Sequence, residues 1–197
     1  MEQTIPRERR SARRMGSKIR RGGSIVSSAL DSIILIGMPG SGKSTVGVLL
    51  AKELRKEFVD TDLLIQTETG RGLQEILDQD GIPGFLALEE SVVLGFQPRR
   101  MVVATGGSVV YSRPAMEHLS SHGICIYLDC SLASLERRLS NLHSRGVVRS
   151  PGQSLEDLFL ERDPLYRAWA TFVVDNGHDD HGLVVEEIAR LLRPRSA

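Results

Sequence analysis

The sequence predicts an α/β fold, a three-layer sandwich in which a five-stranded parallel sheet carries helices on both faces. Three observations point there. Short β-branched runs alternate with longer amphipathic stretches, the pattern of βαβ units with right-handed crossovers. The short runs are apolar throughout instead of alternating with polar residues, which suits strands covered on both sides. The chain has 197 residues, the length of one ordinary domain that buries a core without staples.

From Asp31 onward the elements follow in order. Residues 33–36 read as a buried strand closed by Gly37. Residues 44–56 read as a helix with Val46, Leu49, Leu50 and Leu54 on one face. A second short strand at 58–59 ends in Asp60. Residues 61–81 are mostly helical, with a break at 70–72, and 85–94 are helical again. A third strand spans 101–104, and a helix at 114–121 stops near Gly123. A fourth strand spans 124–128. Leu132, Leu135, Leu139 and Leu142 recur at helical spacing, and 146–153 form a loop rich in Gly, Pro and Ser. Ser154 is placed to cap a helix that carries Leu155, Leu158 and Phe159 on one face. A fifth strand at 172–174 and a closing helix at 184–192 complete the set. In such a sheet ligands bind beyond the carboxyl ends of the strands.

Composition excludes several classes. Hydrophobic residues make up 41% and charged residues 25%, which rules out a wholly disordered chain, a coiled coil or a collagen-like rod. No apolar run approaches the roughly 18 residues of a spanning helix, so no membrane partner is expected. Cys125 and Cys130 are too few for a disulfide framework and suit reduced thiols in the cytoplasm. Net charge is zero, from 25 basic and 25 acidic residues, but it is unevenly spread. Arg7, Arg9, Arg10, Arg13, Arg14, Lys18, Arg20 and Arg21 crowd residues 1–30 against only Glu2 and Glu8. This basic leader is expected to be a disordered extension, or to reflect a start at Met15; contact with nucleic acid or an anionic surface is the alternative. The domain proper is expected over 31–197. Nothing in it suggests base stacking or groove readout, so its expected partner is a small molecule, with no nucleic acid, and its expected state a monomer.

The sharpest signal follows the first strand. Gly37-Met-Pro-Gly-Ser-Gly-Lys43-Ser44, followed by Thr45, matches the Walker A phosphate loop in full and in the right context, strand before and helix after. Gly37, Gly40 and Gly42 let the backbone curl so that its N–H groups, including that of Ser41, converge on an anion. The next helix adds its positive end. Lys43 supplies a compact charge to the β/γ-phosphates of ATP, and Ser44 offers a hydroxyl to Mg²⁺. After the second strand stand Asp60 and Asp62, two residues apart. One carboxylate can support the metal while the other orients an acceptor hydroxyl and takes its proton. Asp62 could alternatively cap the helix that begins there. His178-Asp-Asp-His181 reads as a solvated loop more than as a metal tract. Cys125 reads as core, and Tyr166 and Trp169 as packing residues. His118, His122 and His143 show no partner pattern.

The phosphate loop, then Phe58-Val-Asp60-Thr-Asp62, then Thr105-Gly-Gly107, then Arg162-Asp-Pro-Leu-Tyr166-Arg-Ala-Trp-Ala170, together resemble the shikimate kinase family over about 31–192. The resemblance implies a P-loop kinase with a short lid at about 143–153, transferring the γ-phosphoryl of ATP to the 3-hydroxyl of shikimate. It assigns Asp60 to Mg²⁺ through water and Asp62 to the acceptor's hydroxyls and to catalysis. It assigns Gly106 and Gly107 to the acceptor and the γ-phosphate, and Arg162 to the acceptor's carboxylate. Arg149 becomes the catalytic lid arginine over the phosphates, with Arg145 as the fallback.

Three departures bear on the acceptor. The family's Phe-Arg-x-x-Glu reads Phe85-Leu86-Ala-Leu-Glu89, so leucine replaces a second carboxylate-gripping arginine. A charge-assisted hydrogen bond contributes about 1.5–3 kcal/mol, and its loss weakens binding roughly ten- to a hundred-fold. The third glycine of the family's triplet is Ser108, and the lid reads Arg-Ser-Pro. The alternatives are a paralogue that phosphorylates another small hydroxylated metabolite, or a silent nucleotide-binding regulator. Leu86→Arg is expected to tighten shikimate binding, read as a lower KM for shikimate; an unchanged or higher KM would remove position 86 from the acceptor contact.

Overall fold

The computed structural model describes residues 31–139, 146–177 and 180–193. The leader at 1–30, with the extension expected there, lies outside the described residues, as do Leu142, His143, Arg145 and His178. In chain order the elements are β1 (Ser32–Ile36), α1 (Lys43–Leu54), β2 (Glu57–Asp60), α2 (Thr61–Thr69), α3 (Leu73–Gly95), β3 (Met101–Ala104), a 3₁₀ turn (Val109–Tyr111), α4 (Arg113–His122), β4 (Gly123–Asp129), α5 (Leu132–Arg138), α6 (Leu155–Trp169), β5 (Phe172–Asp175) and α7 (His181–Leu192). The strands form one sheet in the order β2-β3-β1-β4-β5, with every pairing parallel. This is the predicted five-stranded sandwich.

The two-residue period of a strand sorts the core into two layers. Ile33, Leu35, Val102, Ile126 and Leu128 face Val46 and Leu50 of α1 and Val184 and Ile188 of α7. Ile34, Ile36, Val103, Cys125 and Tyr127 face the other way, onto Val93 of α3, Met116 and Leu119 of α4, and Leu158 and Tyr166 of α6. Both faces of β1 are therefore dry, and each buried Ile or Leu contributes on the order of 1.5–3 kcal/mol. A smaller cluster of Ile65, Ile76, Phe85, Val92 and Val148, with Leu86 partly buried against it, joins α2 and α3 to the loop before α6.

This layering sets the position of the site. The chain leaves β1 toward the α1 layer, and it leaves the adjacent β3 toward the α4 layer. Neighbouring strands whose exits diverge open a crevice at their carboxyl ends. The phosphate loop and the Thr105-Gly-Gly107 turn emerge on its two lips.

The boundaries depart from the sequence reading where local caps decide them. The second strand has four residues, not two, because Glu57–Asp60 pair in register with Met101–Ala104. α7 begins at His181, three residues earlier than read, because the Asp180 carboxylate accepts from the Gly182 and Leu183 amides. The predicted break at 70–72 is present, with Gly70 at φ 66, and the two helical pieces beyond it join in α3 across a kink at Gly81, φ 69. Ser154 caps α6 in a reciprocal box: its Oγ accepts from the Asp157 amide at 3.0 Å, and Asp157 Oδ2 accepts from the Ser154 amide at 3.1 Å. Ser154→Ala is expected to cost about 1 kcal/mol and lower the thermal midpoint by roughly 2–4 °C in a scan of the purified protein.

Candidate active site

The loop after β1 is built by backbone freedom and a strap. Gly42, at φ 88, is the left-handed residue that turns the chain into α1. A Cβ there would lie 2.8 Å from Asn176 Nδ2. Asn176, fully buried at the end of β5, donates that amide hydrogen to the Ser41 carbonyl at 2.5 Å and so ties the loop to the far side of the sheet. Lys43 folds back over the loop and donates from Nζ to the Gly37 and Met38 carbonyls, at 2.8 and 2.9 Å. Burial lowers its pKa to about 8, against the pull of Asp62 and Asp60, which favours the charged form. The ammonium is still charged at neutral pH, and it sits where an anion in the loop would draw it.

Asp60 divides its two oxygens. Oδ1 accepts from the Asp62 and Leu63 amides and caps α2, while Oδ2 accepts from the Ser44 hydroxyl at 2.6 Å. The capping role considered for Asp62 thus belongs to Asp60. Ser44 Oγ and Asp60 Oδ2 make an all-oxygen pair of donors beside the phosphate loop, a set that fits a hard cation such as Mg²⁺. Asp62, on the first turn of α2, turns into the crevice. Loss of solvent, then repulsion from Asp60, raises its pKa to about 6, and Lys43 opposes the rise.

Across from them, Gly106 donates its amide to Thr61 Oγ1 at 3.0 Å. A Cβ on Gly106 would overlap Glu89 Oε1 and stand 2.8 Å from Asp62 Oδ1. The crowding that favours glycine there comes from two carboxyl groups, not from backbone strain. Ser108 does not crowd the cleft. Its hydroxyl donates to Glu89 Oε2 at 2.7 Å. Glu89 is 2% exposed, and burial pushes its pKa up to about 8 despite that hydrogen bond. The Tyr166 hydroxyl donates to the Gly107 carbonyl at 2.6 Å, and its ring stacks on Tyr127. Arg162, 1% exposed, donates from Nε to the Tyr111 hydroxyl at 2.9 Å and from Nη2 to the Val148 carbonyl.

These groups border one cleft of about 470 Å³. Its lining includes Gly40, Gly42, Lys43, Ser44, Thr45, Asp62, Gly107 and Arg162 of the predicted set. Gly37, Ser41, Asp60 and Gly106 stand behind that wall. Among the described residues three buried side-chain atoms lack a hydrogen-bond partner: Ser41 Oγ, Glu89 Oε1 and Arg162 Nη1. Buried polar atoms are rarely left so without a function. Arg162 lines the cleft, where a polar ligand would satisfy it, and Glu89 lies buried behind the Gly106 turn.

One predicted residue is not brought in. Arg149 does not line the cleft; it donates from Nη1 to the Gln153 carbonyl at 3.2 Å. The turn over 150–153, closed by the Gln153 amide on the Ser150 carbonyl at 3.0 Å, supplies that carbonyl locally. Arg138, at the end of α5, lines the cleft instead, and its Nη1 reaches Cys130 Sγ at 3.4 Å. The sequence reading gives Arg138 no role. His181 was read as solvated; it opens α7, lines the cleft, and holds Nδ1 3.2 Å from Asn176 Oδ1. Leu86 packs into the satellite cluster and does not line the cleft.

Residues 39–193 match the family model described as shikimate kinase. Shikimate kinases of Methylococcus capsulatus and Chromohalobacter salexigens are 39% and 40% identical to this chain. The matches cover 80% and 82% of this chain, and 89% and 91% of theirs. A solved shikimate kinase from Acinetobacter baumannii in complex with shikimate superposes with a TM-score of 0.77 at 33% identity, over 84% of this chain and 94% of that one. The shikimate kinase of Aquifex aeolicus superposes with a TM-score of 0.71 at 30% identity, over 82% and 95%. Among the described residues no helix is long and apolar enough to cross a membrane. A parallel sheet whose first loop curls around the Lys43 ammonium, faced by paired aspartates and a buried arginine, thus meets its counterparts in sequence and in structure, and the chain belongs to the shikimate kinase family.

Proposed function

We propose that this protein transfers the γ-phosphoryl group of ATP to the 3-hydroxyl of shikimate. The observation that carries the reading is Asp62, a carboxylate drawn out of bulk water with its pKa raised to about 6, in the same cleft as Lys43. A base with that pKa is ionised at neutral pH yet accepts a proton more readily than an ordinary aspartate. The amides of the loop from Gly37 to Thr45 and the Lys43 ammonium hold the β- and γ-phosphates. Mg²⁺, held by Ser44 and through water by Asp60, would neutralise charge on the phosphate oxygens. Asp62 orients the attacking hydroxyl and takes its proton. Gly106 and Gly107 let the acceptor approach, and Arg162 pairs with its carboxylate. The loop at 146–153 closes as a lid, excludes water and swings Arg149 toward the phosphates. Most of the rate enhancement then comes from positioning and charge stabilisation.

Leu86 favours a second reading. With leucine packed away from the cleft, Arg162 is left without the partner arginine of the family motif, which would suit a different small hydroxylated acceptor. One panel separates the two. The purified protein with ATP and Mg²⁺ is offered shikimate, gluconate, amino-acid alcohols and nucleoside monophosphates while ADP release is followed. Saturable turnover of shikimate supports the first reading; turnover only of another acceptor replaces it with the second; ATP binding without turnover of any acceptor leaves a silent regulator.

Asp62→Asn is expected to lower kcat by roughly 10²–10⁴-fold while leaving the KM for ATP within about two-fold. The pH profile gives an independent check. Below about 6 Asp62 holds its proton and cannot accept another; above about 8 Lys43 loses its charge in the nucleotide-free enzyme. kcat/KM for ATP and for shikimate should therefore be bell-shaped between those limits. The alkaline limb of kcat should move upward, because bound triphosphate favours the ammonium.

A further inference from the structure

Arg162 is an arginine enclosed by the protein, and a guanidinium without water needs a partner at each corner of its fork. Two corners are fixed: Nε by the Tyr111 hydroxyl at 2.9 Å, and Nη2 by the Val148 carbonyl. The third, Nη1, has no partner, and a Cβ on Gly107 would stand 3.2 Å from it. The unpaired corner therefore lies beside the glycine turn at the acceptor half of the cleft.

The Tyr111 hydroxyl donates its hydrogen to Glu161 Oε1 at 2.7 Å, which leaves its lone pairs for Arg162. The same ring lies under the guanidinium, with Cζ 4.9 Å from its centroid. Glu161 is steadied in turn by Gln153 Nε2, which donates to Oε2 at 2.7 Å. Its pKa is held below the usual carboxylate range, first by the Tyr111 hydrogen bond. The structure inserts a phenol between Arg162 and Glu161. A direct pair would draw the guanidinium toward the surface, where Glu161 lies. The phenol transmits the carboxylate's polarisation while Arg162 stays in the cleft lining.

We propose that Tyr111 is a positioning residue that aims Arg162 at the carboxylate of the acceptor. The inference rests on the shikimate kinase reading and adds to it a residue on the 3₁₀ turn that directly follows Gly106-Gly107-Ser108. Leu86 sharpens the need. With no second arginine from α3 to bracket the carboxylate, the direction of one guanidinium sets how well that charge is met. Tyr111 constrains Arg162 both through its hydroxyl and through its ring face.

The test compares the full-length chain with its Tyr111→Phe variant on two acceptors, shikimate and methyl shikimate, whose carboxylate is masked. The variant keeps the ring and removes the hydroxyl alone. The KM for shikimate is expected to rise roughly ten-fold, with kcat and the KM for ATP within about two-fold. kcat/KM for the ester is expected to stay within about two-fold, so the preference for acid over ester falls roughly ten-fold. Glu161→Gln, at an exposed position, should shift the KM for shikimate in the same direction by roughly three-fold, and it carries the test if Tyr111→Phe does not fold. A KM for shikimate unchanged in the variants, or an ester that loses as much as the acid, overturns the proposal and leaves the kinase reading intact. A parent protein that turns over ATP with other acceptors but not with shikimate overturns both.

Discussion

Lys43, Asp62 and Arg162 share one cleft, Glu89 lies buried behind it, and the charge of the lysine and of the two carboxyls depends on their neighbours. Lys43 would lose its proton, and Asp62 and Glu89 would keep theirs, if each stood alone in such surroundings. Together they partly offset one another: Asp62 and Asp60 sustain the ammonium, Lys43 restrains Asp62, and Ser108, Arg162 and Lys43 restrain Glu89, which still keeps its proton up to about pH 8. The sheet exists in this form to bring them together. β1 and β3 run side by side with both faces dry, and their exits diverge. The lysine on one lip and the glycine turn on the other are then held by the core, not by loops of their own.

The fold was legible because strand burial leaves a plain trace. Ile33 to Ile36 can be apolar on both faces only inside a covered parallel sheet, and Ser154 followed by Asp157 announces a helix start without reference to anything distant. The phosphate loop was legible for the same local reason, since its glycines, lysine and serine act through their own backbone. Residues whose role depends on what lies opposite were harder to read. Asn176 looks like any polar residue after a strand, yet it straps the loop 135 residues away in sequence. Glu89 was visible as part of a motif, but its isolation and its hydrogen bond to Ser108 arise only when α3 crosses the glycine turn. Arg149 shows the opposite case. A motif places it over the phosphates, whereas a nearby carbonyl in its own turn offers a closer partner.

Leu86 and Ser108 depart from the family motifs in different surroundings. Where the family motif has an arginine on α3 close to its glutamate, this chain has a leucine that joins Ile65, Ile76 and Phe85 in the satellite cluster. The glutamate remains, and it needs a hydrogen-bond donor. Ser108 supplies one from the turn across the cleft, in the place of a glycine.

Asp60 ties two requirements to a single carboxylate. One oxygen begins α2, the other answers Ser44, and Asp62 rides on the helix turn that the first oxygen secures. Folding and chemistry therefore cannot drift apart at this residue. A replacement that removes the Oδ1 acceptor of Asp60 loosens the start of α2, and with it the turn that carries Asp62, in the same stroke as it loses the bond to Ser44.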